Sequence, residues 1–202
     1  MKVLSPFGPK IAQLKLNKSL INKINKEVDR ISSSKKLKKK YDYSKKLVGQ
    51  VKQEIQLPKN FIKKYLAKKI NQSIKEFIKS TTGKTTKTIK IKNFWVVSQF
   101  SHEYNPVHYH DGHVSGVGYL KIPKFTTNKK SLTTNGTIDF INGNKMFLNN
   151  SIFNHNPRVG DVILFPNYLM HTAYPFTSKG ERRSFSFNAE IDNSIANVFK
   201  NE

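Results

Sequence analysis

The sequence has no cysteine among its 202 residues. Disulfides and thiolate metal sites are excluded, so a metal ion could be held only through nitrogen and oxygen ligands. Such a composition suits a reducing interior, and the cytoplasm is the default expectation. No apolar run reaches the roughly 18 residues of a membrane-spanning helix, so no membrane association is expected. The opening "MKVLSPFGPKIAQL" lacks the continuous apolar stretch of a secretory signal. Internal repeats, a glycine-rich phosphate loop, a Gly-x-Ser-x-Gly elbow and a Cys/His finger are all missing. The length suits one ordinary domain and is short for two.

Acidic residues are also scarce: 36 Lys and Arg face 13 Asp and Glu, a net charge of +23. The excess is lopsided. Residues 1–92 carry 26 basic and 5 acidic side chains, net +21, whereas residues 93–202 carry 10 and 8, net +2. One reading is a surface for polyanions such as nucleic acid, on which lysines would displace counterions from phosphates. The other is a set of solvated helix faces. The lysine runs have little arginine or aromatic interleaving, which favours the second.

What is present divides by period. "NKSLINKINKEVDRIS" spaces Leu20, Ile21, Ile24, Val28 and Ile31 as one face of a helix. "SSSKKLKKKYDYSKK" breaks that spacing and reads as a basic loop. A second amphipathic helix is predicted from Pro58 to a stop at Gly83, through Phe61, Ile62, Leu66, Ile70, Ile74, Phe77 and Ile78. From residue 88 the period becomes two: "TIKIKNFWVVSQF", "SGVGYLKIP", "GTIDFI", "KMFLNN", "DVILFP" and "RRSFSFNAEI" follow one another without an intervening helix. That succession predicts an antiparallel double-sheet jelly roll. The expected class is α+β, with residues 1–92 as a basic helical region packed on one sheet of a barrel formed by residues 93–202, all within one domain.

The segment "EYNPVHYHDGHVSGVGYL" holds three of the six histidines. On an extended strand His108 and His110 share a face and can aim at one point. A facial metal site needs a third ligand. His171 follows the buried-looking strand "DVILFP", about sixty residues after the pair. Eleven residues later comes Arg182, whose face of the next strand is shared by Ser184, Ser186 and Asn188. A guanidinium with a hydroxyl two residues on can hold a carboxylate through paired hydrogen bonds, as the distal carboxylate of 2-oxoglutarate requires.

These residues carry a resemblance. The pattern HxH…SGVxYL…LFPxxxxH…RxSxSFN is similar to that of iron(II)- and 2-oxoglutarate-dependent oxygenases, over roughly residues 93–192. The resemblance implies Fe(II), 2-oxoglutarate and O2 as cofactor and co-substrates, His108 and His171 as iron histidines, Arg182 with Ser184 as the 2-oxoglutarate carboxylate site, and Tyr119 with Tyr104 or Asn105 lining the pocket. It also implies hydroxylation of a substrate that the motif does not identify. The usual second ligand is a carboxylate in His-x-Asp or His-x-Glu, whereas this chain has His110 at that position. Spacing favours His110, with Asp111 and then His113 as alternatives. A third imidazole would leave iron with one more unit of positive charge.

His102, His113 and His155 are expected to be ordinary surface or loop residues, Asp161 a turn residue, and Trp95 core. Two rival functions stand beside the oxygenase: a three-histidine cupin-like enzyme that does not use 2-oxoglutarate, and a basic nucleic-acid-binding protein with a non-catalytic barrel. Substrate-selecting segments are expected at "DYSKK" and "FTTNKKSLTTNGT". Oligomeric state is not legible.

Overall fold

A computed structural model of the chain describes residues 8–125 and 134–197. The predicted change of period is borne out: the long helices lie before residue 83, and from Ile89 to Ile191 strand follows strand. Among the described residues ten strands form two antiparallel sheets: β1 (Ala12–Lys15), β2 (Gln53–Gln56), β3 (Ile89–Gln99), β4 (Asn105–His108), β5 (Val114–Lys121), β6 (Ile138–Ile141), β7 (Ile152–His155), β8 (Asp161–Pro166), β9 (Met170–Ala173) and β10 (Arg182–Ile191). The larger sheet runs β1-β8-β5-β10-β3-β2 and the smaller runs β4-β9-β6-β7. This is the double-stranded β-helix expected from the strand succession. Val117, Tyr119, Ile163 and Phe165 of the larger sheet meet Ile138 and Phe140 of the smaller one in a buried cluster.

The other face of the larger sheet is covered by helices α1 (Lys18–Ser32) and α4 (Ala67–Thr82). In α1, Ile21, Ile24, Val28 and Ile31 are buried at steps of three and four, and Asn17 caps the first turn by accepting from the Leu20 amide at 2.8 Å. They join Ile74, Phe77 and Ile78 of α4 against Phe94, Val96, Phe185 and Phe187. Each completely buried Ile in this layer contributes about 1.5–3 kcal/mol of hydrophobic free energy. Polar contacts fix the docking: buried Arg183 donates to Asp29 Oδ1 at 2.7 Å and to Asn25 Oδ1 at 3.1 Å, both on α1.

The aromatic rings of this layer need space, which β5 supplies. Gly118 lies opposite Phe185 and Gly116 opposite Phe187. A Cβ on Gly118 would sit 2.2 Å from the Phe185 ring, and one on Gly116 would sit 2.5 Å from the Phe187 ring. The glycines of "SGVGYL" are thus seats for aromatic rings, and they leave Val117 and Tyr119 facing the barrel interior.

Several expectations are corrected. Residues 1–92 supply strands as well as helices, because β1 and β2 form the two edges of the larger sheet. The basic "SSSKKLKKKY" run is not a loop: α2 (Lys35–Tyr41) forms behind the Ser34 cap, and Leu37 and Tyr41, four apart, pack on the core. The second helix begins as α3 (Lys59–Phe61) and passes through a π-helical turn (Ile62–Leu66) into α4. "KMFLNN" makes a turn closed by an isolated Met146–Asn149 bridge, and the strand follows it at β7. Part of "FTTNKKSLTTNGT" lies outside the described residues. Among the described residues no helix is long and apolar enough to cross a membrane.

Candidate metal centre and co-substrate site

Pairing of β4 with β9 sets His108 directly opposite His171. His110 lies just past the end of β4. Its amide donates to the Asn167 carbonyl at 2.9 Å and its carbonyl accepts from the Asn167 side chain at 3.1 Å, so the backbone there is held on both sides. The three rings converge, with centroids 4.3, 4.7 and 5.2 Å apart, and one ligand nitrogen from each lies within 4.8 Å of the others.

The tautomers follow from the neighbours. His108 Nδ1 is 2.7 Å from the Pro106 carbonyl, and His171 Nδ1 is 2.9 Å from the Leu169 carbonyl. A carbonyl only accepts, so both Nδ1 atoms carry the proton and both Nε2 lone pairs stay free for a metal. His110 Nδ1 is buried without a hydrogen-bond partner. Burial pushes His110 down to about 3, helped by the neighbouring His108, and drives His171 well below the usual imidazole range. His108 is lowered by burial as well. Three neutral imidazoles converging in a cavity are a nitrogen donor set fit for a divalent transition-metal ion. Aromatic rings hold them in place: Trp95 stands edge-on to His110 at 5.5 Å and Phe165 edge-on to His171 at 4.9 Å.

Neither alternative third ligand joins the cluster. Asp111 is exposed, 2.7 Å from Lys92 Nζ, with its other oxygen accepting from the Gly112 amide. His113 spends Nδ1 on the Ile191 amide at 3.0 Å. One further expectation fails. His155 is buried, 3.3 Å from the buried Asp161 and 5.8 Å from the Tyr119 ring, because β7 turns it inward. Trp95 is core as expected, packed with Tyr43 and Val97, and the same ring forms part of the wall of the cavity that holds the histidines.

That cavity, of about 220 Å³, is also lined by Arg182, Ser184, Ser186 and Asn188 from one face of β10. Arg182 is 2% exposed, lies 5.2 Å above the Tyr119 ring and donates to Gln99 Oε1 at 2.6 Å. Its Nε has no hydrogen-bond partner, and among the described residues no carboxylate pairs with it. The Tyr119 hydroxyl is buried close by without hydrogen-bond alignment, and burial pushes it up to about 12. A buried guanidinium without a carboxylate is costly, so this pocket is built to receive an anion. Ser184 is buried two residues along the same face.

The cavity has one more wall, from the segment before β2. Tyr43, Leu47 and Gly49 line it together with Glu54 and Asn105. Burial, reinforced by the Asp42 and Glu103 carboxyls, pushes Glu54 up to about 8. Sequence reading missed Glu54, since its placement depends on β2 adding to the sheet edge.

Residues 93–188 match the family described as "Putative 2OG-Fe(II) oxygenase". Among curated protein sequences none matches. Among solved structures, a prolyl-4-hydroxylase of Pseudomonas putida superposes with a TM-score of 0.59 at 13% identity, covering 90% of this chain and 91% of its own. A viral collagen prolyl hydroxylase from Paramecium bursaria Chlorella virus-1, in complex with 2-oxoglutarate, gives 0.58 at 15%, covering 89% and 94%. Iron-bound HygX of Streptomyces hygroscopicus gives 0.57 at 12%, covering 89% and 81%. These likenesses are in fold. The family match, over a little under half of the chain, is to the iron(II)- and 2-oxoglutarate-dependent oxygenases, and all three clustered histidines fall within the matched stretch.

Proposed function

We propose that the chain hydroxylates a C–H bond of its substrate, with iron held by His108, His110 and His171 and the distal carboxylate of 2-oxoglutarate received by Arg182, Ser184 and Tyr119. The observation that carries this reading is the pairing of two unsatisfied groups in one cavity: a converging nitrogen triad and a buried guanidinium without a carboxylate. Fe(II), 2-oxoglutarate and O2 supply the oxidising chemistry, in which C–H becomes C–OH while 2-oxoglutarate becomes succinate and CO2.

The chain's own residues bind, orient and shield. The Pro106 and Leu169 carbonyls fix two imidazoles in the tautomer that offers Nε2. Gln99 holds the Arg182 fork, leaving Nε and the remaining amino group to meet an anion. The Tyr119 hydroxyl, kept neutral by burial, serves as a donor to the same anion. Trp95, Val97 and Ile138 exclude water from the cavity wall. Three neutral ligands leave the ion's full charge for the dianionic co-substrate to offset. We place the activity in the reducing cytoplasm, where iron stays ferrous; the cysteine-free composition is compatible with that setting.

The test is an anaerobic titration of metal-free protein with Fe(II) and then 2-oxoglutarate, following the visible charge-transfer band of a keto acid chelated to iron. The band is expected in the wild type, with 2-oxoglutarate affinity about ten- to a hundredfold weaker in Arg182→Ala, the loss of a charge-assisted hydrogen-bonded pair. Iron binding without a band would point to the cupin-like alternative. Absence of iron binding would remove the reading altogether.

A further inference from the structure

Glu54 touches neither the histidine cluster nor Arg182, yet it is one of the most enclosed polar residues of the cavity. It sits on β2 opposite Val97, on the sheet face that carries Trp95 and Val97 into the cavity. It is 2% exposed, and its Oε2 is buried without a hydrogen-bond partner. Asn105, the first residue of β4, presents a second buried and unpartnered oxygen, Oδ1. Asn105 Oδ1 and the other oxygen of the same carboxyl, Glu54 Oε1, converge over Gly49: a Cβ there would lie 2.7 Å from Glu54 Oε1 and 2.5 Å from Asn105 Oδ1. A side chain at position 49 would therefore fill the place where these oxygens meet.

An amide oxygen only accepts hydrogen bonds. The Glu54 carboxyl, which burial holds protonated up to about 8, becomes acceptor-only once it gives up that proton, so a cationic donor arriving here would take the proton's place. The charge of that donor follows from the surroundings. The nearby Asp42 and Glu103 are satisfied by Ser44 and by the backbone amides of Phe100 and Lys52. Among the described residues none of the three carboxyls is ion-paired, in a chain with 36 Lys and Arg. Lys46, the cation at the rim, lies 5.3 Å over the Tyr43 ring. Tyr43 and Trp95, with ring centroids 6.0 Å apart, form an aromatic wall beside Glu54. Uncompensated carboxyls beside aromatic faces favour an organic cation over a neutral donor.

We propose that Glu54 and Asn105 anchor the substrate through an alkylammonium or guanidinium group, so that the substrate is an amine or carries a basic side chain. Asn105 and the metal-ligating His108 share one four-residue strand, a span of about 10 Å. A cation held at Asn105 thus leaves the neighbouring carbons of the substrate to reach toward the metal. Calling the bound cation the substrate rests on the oxygenase reading; the cation site itself does not.

The experiment titrates the full chain, first metal-free and then loaded anaerobically with Fe(II) and 2-oxoglutarate, with n-butylammonium, n-butylguanidinium and neutral butyramide, following binding by protein NMR. Both cations are expected to bind either form, with butyramide about tenfold weaker or worse. Glu54→Gln, close to isosteric, should lower cation affinity about ten- to a hundredfold and erase the preference; Asn105→Ala should lower it less. Equal binding of butyramide, a cation preference that survives in Glu54→Gln, or no cation binding to folded wild-type protein would each overturn the proposal. Glu54-dependent cation binding in a protein that gives no charge-transfer band would sink the oxygenase reading and leave the cation site standing.

Discussion

A buried carboxyl raised by its surroundings makes folding pH-dependent in a definite direction. Glu54 is held at about 8 in the folded chain against an ordinary value of 4.5, so the folded state binds the extra proton. Its contribution to stability is fully present below the unfolded value and is lost as pH rises through about 8. The melting temperature of the wild type should therefore fall between pH 5 and pH 8.5 relative to Glu54→Gln, which has no proton to lose. Parallel melting curves for the two proteins across that range would show that Glu54 is not held neutral. At the metal centre, His110→Asp restores the carboxylate found in the usual His-x-Asp motif and removes one unit of positive charge. Iron binding should persist in that variant, with weaker affinity for dianionic 2-oxoglutarate in the same anaerobic titration. Unchanged affinity would mean that position 110 does not face the ion. The His-x-His pair was legible because a spacing of two suits one strand face, although His110 itself lies just past the end of β4 and is held there by Asn167. Glu54 was not, because nothing in "QEIQ" signals that it joins a sheet edge.

At the scale of elements, the seats for aromatic rings on β5 matter most for shape. Gly118→Ala would force a methyl group into the Phe185 ring, 2.2 Å away, in a layer already closed by α1. Overpacking of this kind costs about 1–3 kcal/mol, to be read from chemical denaturation, and Phe185→Leu in the same chain should recover part of it. An additive double mutant would show that the ring and the glycine are not coupled. The β-rich half of the fold could be read from its period-two runs, and α1 from the Ile21, Ile24, Val28, Ile31 spacing. The four-residue strands β1 and β2 could not, because their pairing to β8 and β3 is decided by distant neighbours rather than by local pattern. Helix α2 was hidden by its lysines, although Leu37 and Tyr41 already had the spacing of one helical face. His155 and Asp161 were likewise illegible, since their burial depends on β7 and β8 meeting across the barrel end.

For the whole molecule, the charge asymmetry and the site belong to different surfaces. Lys35, Lys36, Lys38, Lys39 and Lys40 of α2 are all exposed, while the cavity holds Arg182 and the imidazoles in its interior. Substituting Lys36, Lys39 and Lys40 by Gln should leave iron and 2-oxoglutarate binding unchanged and alter stability by less than about 0.5 kcal/mol each. Loss of the charge-transfer band in that variant would tie the basic face to the site.

The central claim is that three imidazoles, and no carboxylate of the chain, hold the iron. X-ray absorption of the Fe(II)-loaded protein measures this directly through scattering from the imidazole rings. Three imidazoles are predicted in the wild type and two in His110→Ala, with no change in Asp111→Ala. A spectrum unaltered by His110→Ala, or altered by Asp111→Ala, would contradict the account.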